Sequence, residues 1–307
     1  MRYSFHLPLE RVAQADEFLS FAALRDMVQA LERAGIDACY VTDHPMPADS
    51  WLRSGGHHTL DPFVALSFAA AATRTLKLHT NIVVLAYRNP FITAKMAASL
   101  DVLSGGRLIL GVGAGYLEEE FSALGARLDG RGAAMEQAIA AMKLAWRGES
   151  VQFSGRDFNA PGNTALPRPV QRPHPPIWIG GNSDGAIQRA VRHGDGWLPF
   201  PVPAGAKARV RTAEITSPAA LRLKIRHARE LAEAAGRTTP FDICMVPFGA
   251  GMHNTQRPQR DALIDQIGQL ADAGVTWLSI ALPCRDRSEY LDNVDWFGRD
   301  IAAAVSS

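Results

Sequence analysis

Thr42-Asp43-His44-Pro45 sets a carboxylate beside an imidazole directly after a short apolar run, Ala38 to Thr42. Histidine exchanges a proton near neutral pH, and an adjacent carboxylate can orient it or a bound molecule. A capped strand end with a solvated histidine is the plainer reading, and the residues alone leave both open. A second anomaly is His79-Thr80-Asn81-Ile82-Val83, where Asn81 interrupts the β-rich run Leu76 to Leu85. Local rules tend to be broken at functional positions, although a buried, hydrogen-bonded asparagine would also fit.

Two glycine clusters follow apolar runs. Gly111-Val112-Gly113-Ala114-Gly115-Tyr116 invites a dinucleotide reading, but the last glycine of that fingerprint is Tyr116 here. Glu118, Glu119 and Glu120 also crowd the turn where a pyrophosphate would need open amides. The glycines still let a ligand approach the backbone, and a plain strand-end turn is the alternative. Ile177-Trp178-Ile179-Gly180-Gly181-Asn182-Ser183-Asp184-Gly185 is the best anion site in the chain. Asn182, Ser183 or Asp184 can cap the helix that follows, and the amides at its start would receive a phosphate.

Other chemistry is not encoded. No HExxH, paired-cysteine zinc pattern, EF-hand loop or GxSxG elbow occurs. His57 and His58 lie in a Gly-rich loop and read as solvated, since a metal would need a third ligand. Arg88, Lys95, Arg168, Arg172, Arg189 and Arg192 are scattered and read mostly as solvated surface.

The elements that must carry these residues alternate short strand and helix. Strands are predicted at Tyr3–Leu7, Ala38–Thr42, Leu76–Leu85, Arg107–Gly113, Ile177–Ile179, Gly196–Leu198, Phe241–Val246 and Val275–Leu282. Helices are predicted between them, the first carrying Phe21, Leu24, Val28 and Leu31 on one face and ending at Gly35. Apolar strands without alternation suit a parallel sheet covered on both sides. Eight such units predict a (β/α)8 TIM barrel, the C-terminal strand ends facing the active site. The proline-rich stretch 148–176 breaks the alternation. It reads as an excursion between the fourth and fifth strands, with one hairpin at Ser150–Phe158, inside a single domain spanning 1–307.

Composition bounds the function. The 307 residues are 47% hydrophobic and 21% charged, an ordinary globular balance. A net charge of +1 gives no general pull toward nucleic acid or an anionic membrane. Three cysteines, Cys39, Cys244 and Cys284, lie in or beside apolar runs without CxxC spacing, which argues for buried thiols and against a disulfide framework. With no signal-peptide core and no membrane-length apolar run, a cytoplasmic protein is expected.

Read together, these segments resemble the luciferase-like monooxygenase superfamily, specifically its coenzyme F420 (deazaflavin) branch. The resemblance rests on Thr42-Asp43-His44, on Leu60-Asp61-Pro62-Phe63, and on Asn81 through Pro90. It continues through Leu100-Asp101-Val102-Leu103-Ser104-Gly105-Gly106-Arg107, the Gly111–Phe121 segment and Pro176-Ile177-Trp178-Ile179-Gly180-Gly181. It implies a barrel that binds a flavin or deazaflavin at the strand ends, backed by a non-proline cis bulge at Asn81-Ile82. It further implies ring-side roles for Asp43 and His44, contacts from Gly113, Gly115 and Tyr116, phosphate amides at Gly180, Gly181 and Asn182, and a homodimer. Hydride would pass through the deazaflavin C5 while His44 moves a proton or orients the substrate. The sugar-phosphate dehydrogenases of the branch carry a Trp four residues beyond the His, which is Ala48 here, and an acidic residue where Tyr116 stands. Glucose 6-phosphate is therefore disfavoured.

The leading reading is an F420-dependent oxidoreductase acting on a small organic molecule. Its competitors are an FMN-dependent two-component monooxygenase served by a flavin reductase, and a non-catalytic flavin-binding barrel. The residues do not identify the substrate. The Gly55–His58 loop, the proline-rich excursion and the Gly251–Asn254 turn are expected to form its pocket walls.

Overall fold

The computed structural model describes residues 1–205, 211–249, 251–252 and 254–306. Eight strands are parallel and closed into a barrel: β1 (Arg2–His6), β2 (Ala38–Val41), β3 (Lys77–Val84), β4 (Leu108–Gly113), β7 (Ile177–Gly180), β8 (Gly196–Leu198), β9 (Asp242–Met245) and β10 (Trp277–Ile280). β10 pairs with β1 in register, Arg2 opposite Trp277, so the ring has no open edge. β5 (Val151–Gly155) and β6 (Phe158–Asn163) form an antiparallel hairpin inserted between β4 and β7. The hairpin runs further than the sequence suggested. Asp157 turns the chain with φ 64, and Pro161 sits in a two-stranded ribbon where its missing N–H costs little.

Each strand is followed by a helix whose ends are written in the sequence. Asp61 caps α4 (Pro62–Ala72) by accepting from the Phe63 and Val64 amides. Asn89 caps α5 (Pro90–Ser104) in the same way, and Gly105 ends it in the left-handed region at φ 69. Arg107, just beyond, donates to the carbonyls of Ala70, Leu76 and Ser104 and to Thr73 Oγ1, tying the ends of α4 and α5 to β4. Short helices missed by the alternation, α3 (Asp49–Arg53) and α6 (Glu118–Ala123), lie in the loops that leave β2 and β4. The remaining long helices are α2 (Phe21–Arg33), α7 (Arg131–Ala145), α8 (Asp184–His193), α9 (Pro218–Ala234), α10 (Arg260–Ala273) and α11 (Arg287–Trp296).

The main core lies between the strands and the helices, and includes Phe5, Leu31, Leu78, Leu110, Ile179, Ile225, Ile280 and Phe297. The lumen is different. Trp178, Trp277, Cys244, Ile109 and Leu198 pack there, next to polar pairs such as Ser4 Oγ with His79 Nδ1 at 3.0 Å. All three cysteines are free and buried. Among the described residues no helix is long and apolar enough to cross a membrane.

Candidate active site

The peptide bond Asn81–Ile82 is cis, and the β3–β4 register shifts between Thr80 and Val83. This bulge explains the misplaced asparagine: Asn81 Nδ2 reaches across the lumen to Ser279 Oγ at 3.2 Å. Ile82 enters the space that a side chain at position 113 would need, since a Cβ on Gly113 would lie 2.2 Å from Ile82 Cδ1. A Cβ on Gly180 would meet the same side chain only at ordinary contact, 3.5 Å from Ile82 Cγ2. Gly113 therefore accommodates Ile82 itself. Gly115 has φ +80, its absent side chain leaves room for Phe121 and Val84, and its carbonyl accepts from Arg131 Nε at 2.9 Å. These two glycines serve the bulge and the turn, where the sequence suggested an approach route for a ligand.

Asp43 and His44 part company at the end of β2. Asp43 is buried and accepts from Arg88 Nη2 at 2.6 Å, Arg88 Nε at 3.2 Å and the Val84 amide at 3.1 Å. Burial pushes its carboxyl above the usual value, against the opposing pull of the Arg88 charge and these hydrogen bonds. Arg88, expected on the solvated surface, is a half-buried partner whose guanidinium also meets Asp61 at 3.6 Å. Asp43 thus locks the chain after β3 to the end of β2, and it does not orient His44.

Glu120 does that. His44 Nδ1 donates to Glu120 Oε2 at 3.2 Å, and Glu120 Oε1 accepts from the Met46 amide at 3.1 Å. The Glu120 side chain is 2% exposed and that of His44 11%. The acidic run that counted against a pyrophosphate supplies, through its third member, the partner of the histidine. No periodicity reveals this, because 76 residues separate the pair. The loop after β2 then closes over the imidazole. Trp51 of α3 lies 4.5 Å from His44 between centroids, His57 meets it edge-on at 5.1 Å, and Tyr116 stands 6.4 Å away. His57, read as solvated, shares a hydrogen bond with Thr42 Oγ1 through Nε2 at 3.2 Å.

The glycine turn after β7 is more occupied than the sequence suggested. Asn182 is fully buried: its amide donates to Thr212 Oγ1, its Nδ2 to the Phe200 and Ala213 carbonyls, and its Oδ1 accepts from the Phe200 amide. The Gly181 amide donates to the Leu198 carbonyl at 3.3 Å. Asn182 and Gly181 therefore spend on the β8 side of the barrel the groups expected to hold phosphate. Ser183 is the N-cap of α8, which leaves the Asp184 and Gly185 amides without carbonyl partners in the helix. Next to this helix start lies a cleft of about 730 Å³ whose lining includes Ser183, Asp184, Arg211, Thr212 and Lys224. Arg211 also pairs with Glu118 at 3.0 Å, joining this cleft to the loop after β4. In the turn at Gly251–Asn254, His253 lies outside the described residues.

A closed parallel barrel gathers the polar groups Asp43, His44 and Glu120 at the C-terminal ends of its strands, the face where barrels of this kind place their active sites. The luciferase-like monooxygenase family model matches residues 1–273, and the chain belongs to that family. The F420-dependent glucose-6-phosphate dehydrogenase of Kineococcus radiotolerans is 32% identical over 196 residues, 62% of this chain and 56% of its own. The oxygenase component of the flavin-dependent trigonelline monooxygenase of Acinetobacter baylyi is 27% identical over 203 residues, 63% of this chain and 52% of its own. The crystal structure of monooxygenase RslO1 from Streptomyces bottropensis superposes with a TM-score of 0.76 over 99% of both chains at 22% identity, a likeness of fold.

Proposed function

We propose that this chain is a coenzyme F420-dependent oxidoreductase that moves a hydride between the deazaflavin C5 and an uncharged organic substrate, and that it works as a homodimer. The observation that carries the reading is the His44–Glu120 pair at the barrel mouth. With Nδ1 donating to a buried carboxylate, the Nε2 lone pair is the basic site of the ring and faces the opposite edge. Hydride transfer to or from an alcohol or carbonyl needs one proton at the oxygen. His44 Nε2 would accept or donate that proton, while Glu120 keeps the tautomer and balances the imidazolium.

The chain fits a phosphate-bearing cofactor. Lys224 and Arg211 line the cleft at the start of α8, and a phosphate there would draw Lys224 from Asp184, 3.5 Å away, and Arg211 from Glu118. The bulge at Asn81–Ile82 offers an apolar surface to one face of a flat ring. When bound, the deazaflavin would supply hydride chemistry, and the residues above would hold it and manage the proton. The 32% identity to an F420-dependent enzyme supports this cofactor. The monooxygenase relative supports FMN as the second reading, in which a partner reductase would deliver reduced flavin.

The outer face of α4 supports the dimer reading. Its outer positions Val64, Ser67, Phe68 and Ala71 are exposed and uncharged, and Phe68 meets the exposed Phe21 at 5.6 Å between centroids. A helix apolar on all sides is expected to be covered.

Titration with F420 and, separately, FMN tests the assignment by ligand fluorescence in both redox states. Micromolar F420 binding with FMN much weaker is expected. The reverse order would move the chain to the monooxygenases, and binding of neither would overturn both enzyme readings.

A further inference from the structure

We infer that Trp51 and His57 form an aromatic wall that selects a flat, conjugated, uncharged substrate at the proposed catalytic histidine. The inference rests on the reading of His44 as the proton-handling group. Trp51 lies 4.5 Å from His44 and 5.3 Å from His57, so the three rings form one cluster. Two local features hold it in place. A Cβ on Gly56 would sit 2.3 Å from the Trp51 ring, so glycine lets the loop fold down on the indole. Thr42 Oγ1 fixes His57 at the end of β2.

Trp51, His57 and Tyr116 are only partly buried, whereas Glu120 beneath them is closed off. A molecule that reaches His44 must therefore pass along ring faces and edges. Aromatic contacts reward an offset or edge-on π-system more than a saturated ring of the same size, by about two- to tenfold in affinity per good contact. The local charges reject anions. Glu120 is a buried carboxylate against His44, and the Arg88 guanidinium is already held by Asp43 and Asp61. A phosphate or carboxylate brought against the imidazole would lose hydration and meet the negative charge of Glu120, while Arg88 is already paired.

Three probes on one fused bicyclic skeleton decide the matter: the flat 2-naphthol, its puckered saturated counterpart 2-decalol, and the flat anion 2-naphthoate. Binding is measured by calorimetry on the protein alone and on the protein loaded with whichever cofactor it takes. The expected result is 2-naphthol tighter than either of the others by about fivefold or more. Trp51→Leu should bring naphthol and decalol to near equality, and Trp51→Phe should restore most of the difference. Equal or tighter decalol, equal or tighter naphthoate, a preference untouched by Trp51→Leu, or no binding of any probe would overturn the inference. Cofactor titration of the same Trp51 variants reports separately on the oxidoreductase reading, so the two can fail independently.

Discussion

His44 can handle a proton usefully only if one ring nitrogen is committed, and Glu120 Oε2 at 3.2 Å commits Nδ1. His44→Asn should lower kcat by about 10²–10⁴-fold with little change in cofactor affinity, read by steady-state kinetics and fluorescence titration. Glu120→Gln keeps the shape but loses the negative charge that holds the tautomer. It should cost about tenfold or more in kcat, move the pH–rate profile, and leave KM nearly unchanged. Glu120→Asp should fall between, because the carboxylate returns on a shorter stem. Asp43→Asn should behave differently. It releases Arg88 inside a buried site, so the expected loss is several kcal/mol of stability, about 3–5 kcal/mol for a broken buried pair. The resemblance implied ring-side places for Asp43 and His44 together, and in the structure Asp43 bonds Arg88 and the Val84 amide while His44 bonds Glu120.

At the scale of elements, the strand ends position the site and the loops decide its chemistry. Asn182 illustrates the division. Its side chain bonds the Phe200 amide and the Phe200 and Ala213 carbonyls, sewing the turn after β7 to the segment after β8. Asn182→Ala leaves those buried groups unpaired and should destabilise the fold by about 2–4 kcal/mol in denaturant unfolding. Affinity for inorganic phosphate should barely change, which a direct phosphate ligand would not allow. Lys224→Ala, in contrast, should weaken cofactor binding and leave the unfolding midpoint almost where it was. Strand positions were legible because apolar runs bounded by Gly, Pro and Asp recur through the chain. The helices α3 and α6 were not, since each is little more than one turn and carries no period.

For the whole molecule, the barrel lumen sets the acid limit. Burial lowers His79 to about 3 from 6.5, so the folded protein holds it neutral where the unfolded chain would protonate it. The unfolded state binds the extra proton between those values, so the stabilisation is full above 6.5 and is lost as the pH falls toward 3. The slope from this group is up to about 1.4 kcal/mol per pH unit. Denaturant midpoints should therefore fall from pH 7 to pH 4, and His79→Gln should flatten that limb. Burial lowers His6 as well, which adds in the same direction. The outer face of α4 makes the second molecular prediction. Phe68→Asp places a charge in the proposed dimer face, and light scattering should show the mass fall from two chains to one.

Much of the molecule was determined by sequence patterns that act over a few residues. Apolar strand runs, Asp61 and Asn89 as caps, and glycines at helix ends suffice to dictate eight βα units, and eight such units close into a barrel. The same local signals marked His44, Asn81 and the two glycine turns as the places to look. Tertiary structure alone decided the partners. Glu120 found His44 across 76 residues, Arg88 found Asp43 across 45, and Trp51 came down on the imidazole from a loop without periodicity. The physical reason is that a hydrogen bond or ring contact depends on distance in space. Sequence spacing constrains that distance within one helix or strand, and not between the loops that meet at a barrel mouth.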